Sequence, residues 1–180
     1  MHIGGRGRPA TFVYRFDRET EIVGPMSLHL PIELPRGGDV SVYATVRKFR
    51  DGREVTFEGS YGSRWDAVTH GMLAASLRAV DPSRSRPGQP FHPFTKSEPL
   101  RPGETATLDI ELAPSATLFR AGEELRLDIG CRWPFARNPL TGIFPAGHQA
   151  VGHGPVIVHV GGAHHAALTV PVWSQDEFDH

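Results

Sequence analysis

The sequence predicts an all-β fold, a β-sandwich or jelly roll, and three observations predict it. Period-two alternation recurs along the 180 residues, no segment sustains helical periodicity beyond a turn or two, and 20 Gly and 16 Pro punctuate the alternating runs. Those two residue types make up about a fifth of the chain, against a background of roughly 12%. Many short strands joined by turns fit that composition; a helical bundle does not. A chain of this length buries a two-layer core without disulfides or metals, so one domain is expected.

Each run supplies one expected strand. Phe12, Tyr14 and Phe16 alternate with Val13 and Arg15, and Leu28, Leu30, Ile32 and Leu34 alternate with His29, Pro31 and Glu33. Val40, Val42, Ala44 and Val46 then face one side, with Ser41, Tyr43, Thr45 and Arg47 on the other. Asp51-Gly52 reads as a hairpin turn into 54–57. The segment 71–78, Gly-Met-Leu-Ala-Ala-Ser-Leu-Arg, suits a helix by its Ala and Leu content, but its length and Gly start favour a strand.

Leu108, Ile110 and Leu112 against Asp109 and Glu111, and Leu125, Leu127 and Ile129 against Arg126 and Asp128, read as half-buried antiparallel strands. Val156, Val158 and Val160, then Leu168, Val170 and Val172, read as a closing hairpin around Gly161-Gly162-Ala163-His164-His165. The expected count is eight or nine strands, with a tail over 1–9, the domain over 10–174 and a second tail over 175–180. Two long loops, 81–102 and 131–154, interrupt the pattern, and loops of that length are commonly functional or docked onto something.

Charge and cysteine usage narrow the function classes. Lys plus Arg (19) nearly balance Asp plus Glu (20) and intersperse with them, so no basic stripe for nucleic acid exists. Cys131 stands alone, which fits a reducing compartment. The first residues carry no signal-like apolar run, and no stretch reaches the 18 or so apolar residues of a membrane span. The expectation is a soluble, cytoplasmic chain.

The chemical constellations are weak. Glu58-Gly59-Ser60-Tyr61-Gly62 is the nearest approach to a nucleophile elbow, but Glu58 stands where Gly is required and no helix follows Ser60. His148, His153, His159, His164 and His165 crowd the C-terminal part without the spacing of converging metal ligands. His159 alternates with Val158 and Val160 and is expected on the opposite face from them; His164 and His165 are adjacent and diverge if extended. Asp109, Glu111, Arg126 and Asp128 read as cross-strand charge pairs on sheet surfaces. The Gly pairs at 4–5, 37–38 and 161–162 precede no helix and read as turns, not phosphate cradles. No catalytic, cofactor or metal residue is assigned.

Several segments together resemble a known family. They are Phe12-Val13-Tyr14-Arg15-Phe16 with 20–26, Val46-Arg47-Lys48-Phe49 with Asp51-Gly52, and the run from Gly71 to Arg78 followed by Asp81-Pro82. To these add Pro99-Leu100-Arg101-Pro102-Gly103-Glu104, the stretch 114–122, Arg137-Asn138-Pro139, and the closing 156–162 and 168–172. In this order they resemble the C-terminal jelly roll, galactose-binding-domain-like in fold, of cocaine-esterase-like and X-prolyl-dipeptidyl-peptidase-like serine hydrolases. The run 71–78 matches the family's Gly-x-Leu-x-Ala-Ser-x-Arg before Asp-Pro.

The resemblance implies a non-catalytic accessory domain whose partner is an α/β-hydrolase domain, on the same or a separate chain, carrying the Ser-Asp-His triad for ester, amide or X-Pro cleavage. Under that reading Trp133, Phe135, Ile143 and Phe144 in the second long loop are the expected partner contacts, and an isolated chain is expected to self-associate. A free-standing jelly roll binding carbohydrate, with Tyr43 and Trp173 as its outward aromatics, is the alternative, and a His-based metalloenzyme the lesser one.

Overall fold

The structure, a computed structural model, describes residues 2–4, 8–57, 66–134, 152, 154–162 and 164–173. Among them lie eleven strands: β1 (His2–Gly4), β2 (Ala10–Arg15), β3 (Thr20–Glu33), β4 (Ser41–Arg50), β5 (Arg53–Val55), β6 (Thr69–Ala74), β7 (Thr105–Phe119), β8 (Glu124–Gly130), β9 (Pro155–Val158), β10 (Ala167–Thr169) and β11 (Val172–Trp173). The only helical element described is a 3-10 turn, Ala75–Leu77.

The strands form two antiparallel sheets. One contains β1, β9, β3 and β7, with β10 and β11 also on β3; the other contains β2, β8, β4 and β6, with β5 as a hairpin arm on β4. Apart from β5, the hairpin arm, and β10, which lies on β3 with β9 and β11, odd-numbered strands fill one sheet and even-numbered strands the other, so most connections between the described strands cross from one sheet to the other. That order, 1-9-3-7 over 2-8-4-6, is the jelly roll.

The inner faces follow the alternation read from the sequence. Ile22, Met26, Leu28, Leu30 and Ile32 of β3 meet Leu108, Ile110 and Leu112 of β7 on one sheet, and Val42, Ala44 and Val46 of β4 join Leu125, Leu127 and Ile129 of β8 on the other, all buried. At roughly 25 cal/mol per Å2 of apolar surface removed from water, this core supplies the main drive to fold. The Asp51-Gly52 turn has φ of 50 and 75 degrees, as a two-residue type I′ hairpin requires, and it pairs Arg50 with Arg53.

Three expectations about the strands need correction. Residues 2–4, expected within an N-terminal tail, pair with β9 as β1 and place Ile3 in the core. Strands β9 and β10 do not form a hairpin. Both run antiparallel to β3, and since β7 occupies the other edge of β3 throughout, β9, β10 and β11 line up along one edge as a single interrupted strand. Counted that way the strands number nine. The segment 71–78 divides: Gly71 to Ala74 complete β6, and the chain then tightens into the 3-10 turn.

Candidate docking surface

The outer face of the five-stranded sheet is the first candidate. Ser41, Tyr43 and Thr45 point away from the core, as their parity demands, yet all three are buried, Tyr43 to 2% exposure. Tyr43 is therefore not the outward aromatic the alternation suggested. Its cover is the chain leaving β8, which lays Trp133 edge-on against Tyr43 (centroids 6.0 Å apart, 84 degrees) and against His70 (5.5 Å, 85 degrees). Trp133 itself is half-buried.

A cavity of about 220 Å3 beside Trp133 is lined by Tyr43, Thr45, Arg47, Asp128, Cys131 and Arg132, among others. Arg47 is fixed there by Asp128 (3.0 Å) and Glu54 (2.6 Å). Burial pushes the Cys131 thiol up to about 11, and burial, with the Cys131 charge adding, raises the Tyr43 phenol. Both shifts run away from neutrality. Of the other expected contacts, Phe135, Ile143 and Phe144 lie outside the described residues, as do Ser60, His148 and His153.

The second candidate is an apolar groove of about 320 Å3 on the flank of the sandwich, where Phe12 and Tyr14 of β2 face Leu28, Leu127, Val160 and Leu168. Val13, Tyr14 and Val160 on its rim are 56%, 60% and 48% exposed. Tyr14 thus departs from the buried face its alternation implied, because β2 is an edge strand and only Phe16, stacked on Phe119, reaches the core at that end.

The loop 81–102 is docked onto its own sandwich. Leu100 and Gly38 exchange backbone hydrogen bonds of 2.8 Å, and Glu98 N–H donates to the Ser76 carbonyl at 2.7 Å. The ring nitrogens of His92 face the Ala79 (3.0 Å) and Asp109 (2.8 Å) carbonyls, with Phe94 stacked on the ring. The run from Gly71 to Arg78 braces this loop. A Cβ on Gly71 would sit 2.0 Å from the Glu111 carbonyl oxygen, Ser76 donates twice to Asp39, and Arg78 donates to the Ala75 and Glu98 carbonyls. The residues that match the family motif are thus structural.

The charged residues also resolve into pairs. His29 meets Asp109 at 2.6 Å, and Arg126 meets Glu124 at 2.8 Å. His159 lies opposite its buried neighbour Val158, contacting Glu33 (3.2 Å) and the His164 ring (4.6 Å). Among the described residues no three His, Cys, Asp or Glu gather as a metal site. Sequence reasoning missed Glu123, buried between Lys48 (2.7 Å) and Arg50 and accepting the Arg120 N–H. Its neighbours in the chain carry no pattern that marks it. Burial works to raise its pKa, but the hydrogen bonds from Lys48, Arg120 and Arg50, with the Lys48 charge, hold it at about 2.

The described residues thus form an antiparallel jelly roll with apolar flanks and braced loops. Residues 6–169 match the X-Pro dipeptidyl-peptidase C-terminal non-catalytic domain, and the chain belongs to that family. It is similar to a CocE/NonD family hydrolase from Staphylococcus aureus, at 28% identity and a TM-score of 0.90 over 96% of this chain, but spans only 32% of that hydrolase's length.

An α-amino acid ester hydrolase (16% identity, TM-score 0.62, 93% of this chain and 26% of that one) shares the fold. So does an aminopeptidase from a marine sediment Thaumarchaeota archaeon (14%, 0.63, 94% and 26%). In each case the matched part is a minor portion of a larger chain. No curated protein matches the chain.

Proposed function

We propose that this chain is the accessory β-sandwich of a serine hydrolase of the ester, amide or X-Pro dipeptidyl-peptidase class, packing against an α/β-hydrolase body on the same or a separate chain. The observation that carries the reading is the family match over 6–169 to a domain described as non-catalytic. The 28% identity to a third of a CocE/NonD family hydrolase supports it. The half-buried Trp133, with Phe135, Ile143 and Phe144 following it in sequence, supplies the contact to that body, and the isolated chain hides the patch by self-association. The single Cys131 supports residence in the reducing cytoplasm.

The domain contributes no reacting group; it shields apolar surface of the hydrolase body and holds loops near its active site. The test mixes the purified chain with a CocE/NonD-type hydrolase body stripped of its own C-terminal domain. Binding by calorimetry, a higher melting temperature of the body and a gain in its hydrolysis of p-nitrophenyl esters are expected. Turnover by the chain alone, removed by a serine-directed phosphonate, overturns the reading.

A further inference from the structure

The open flank of the sandwich and the direction in which β1 runs bear on each other. β1 pairs antiparallel with β9, His2 opposite Ile157 and Gly4 opposite Pro155, so the partner number rises as the β1 number falls. A strand prolonging β1 in the N-terminal direction with the same register would therefore lie alongside 158–160 and, traced backward, reach β10. β10 pairs with β3 along one edge, and no strand among the described residues pairs with its other edge. Across the gap, β2 is likewise an edge strand, paired with β8 alone among the described strands. The groove lined by Phe12, Tyr14, Val160 and Leu168 lies between these two edges.

We infer that this groove is the seat of an extended, alternately apolar segment that prolongs β1 in the N-terminal direction, adding a strand beside β10 and pressing its inward side chains between β10 and β2. This rests on the accessory-domain reading. In the family this domain is C-terminal, its match here begins at residue 6, and the chain spans 32% of its Staphylococcus aureus relative, so a hydrolase body that precedes such a domain on one polypeptide joins it from the side on which β1 lies. Strand addition satisfies the backbone groups of an open edge, and alternating side chains fill the apolar slot. The occupant is thus the connecting segment of the hydrolase polypeptide, and the groove joins body and sandwich by a shared sheet.

The experiment appends to the full chain an N-terminal extension of about six residues of alternating Val and Thr, spanning about 20 Å when extended. A Gly-Ser extension of equal length is the control. Anilinonaphthalene sulfonate reports the open groove, hydrogen exchange the edge of β10, and sedimentation velocity the oligomeric state. The Val-Thr extension should displace most of the bound dye, slow exchange at 167–169 by about tenfold, and raise the melting temperature by several degrees over the control. Val160→Glu and Tyr14→Glu, both at exposed rim positions and so compatible with folding, should each abolish those gains.

Equal exchange in the two extended chains, or gains that survive Val160→Glu, overturn the inference. So does a parent chain that binds no dye, either as a monomer whose own residues fill the groove or as a dimer in which a second copy does. The titration with a hydrolase body is a separate measurement. If the body binds while the extension has no effect, the seat is wrong and the accessory role stands; the converse result removes the role and leaves the seat.

Discussion

Ser76 donates both its backbone N–H (2.8 Å) and its hydroxyl (2.6 Å) to the carboxylate of Asp39, joining the end of β6 to the chain just before β4. Both partners of this clamp belong to connections, and Ser76 is 3% exposed. From it the loop 78–104 takes its bearing, since the Ser76 carbonyl receives Glu98 N–H and the next residues include Arg78, which donates to Glu98 O. Ser76→Ala leaves a carboxylate oxygen short of a buried donor, and a loss of about 1–3 kcal/mol is expected. Thermal melting measures it, and limited proteolysis should show earlier cleavage within 81–102. Unchanged melting and cleavage would show that the loop is held by its other bonds.

Gly71 has an ordinary backbone conformation, so its requirement is one of space. A Cβ there meets Glu111 O at 2.0 Å, Glu111 C at 3.0 Å and Leu112 Cα at 3.2 Å, all backbone of β7. Gly71→Ala must force the two sheets apart at this point and should cost about 2–4 kcal/mol. Gly52→Ala places its methyl in open space and bears only the strain of φ +75 degrees, for about 1 kcal/mol. Denaturant melts of the pair should rank them in that order.

Alternation along single strands was legible because inward and outward faces differ by one residue and the inward ones are plainly apolar. Strand partners were not legible in the same way. The runs 156–160 and 168–172 each read as a Val-containing strand, and a loop between two such strands looks like a hairpin unless the edge of β3 that both occupy is known. Tyr43 shows a second limit: its parity gives its face correctly, but whether that face meets water depends on where Trp133 lands, ninety residues later in the chain. Glu123 shows a third, since a buried carboxylate needs partners from β4 that its own neighbours in sequence do not announce.

Glu123 should make stability depend on acid. Its folded pKa of about 2 lies below its ordinary 4.5, so its contribution is fully present above pH 4.5 and is lost as pH falls through 2. Allowing for solvent screening around the half-exposed Arg50, that contribution is on the order of 2 kcal/mol. Glu123→Gln should lower the melting temperature at pH 7 and flatten its fall between about pH 5 and pH 2. A parallel fall in both proteins would assign the acid sensitivity to other carboxylates.

Cys131 follows Gly130 at the end of β8 and sits beside the Trp133 cavity. With its thiol pushed up to about 11, the thiolate is scarce at pH 8. Labelling by dithionitrobenzoate should be slow in the folded chain and fast in guanidinium. Trp133→Ala, which uncovers the site, should speed it; equal rates in the two folded proteins would mean that Trp133 does not shield the thiol.

Trp133 is also where packing and docking compete. Its ring edges onto Tyr43 and His70, yet the residue stays half-buried, so only part of its surface serves its own domain. Each edge-on aromatic pair contributes about 0.5–1.5 kcal/mol beyond area, and burial of the covered part adds about 1 kcal/mol. Trp133→Ala should therefore lower the melting temperature of the isolated chain by about 5–10 °C, somewhat less than truncating a core residue such as Phe119, which is fully buried. The uncovered remainder of the ring is what a hydrolase body can bury, and aromatic anchors of this kind dominate interfaces. Affinity for a separately made body should fall at least about tenfold in Trp133→Ala, or 1.4 kcal/mol, while Trp133→Phe restores the melting temperature more fully than the affinity. A variant that melts far earlier yet binds the body as the parent does returns Trp133 wholly to its own core and moves the docking surface elsewhere.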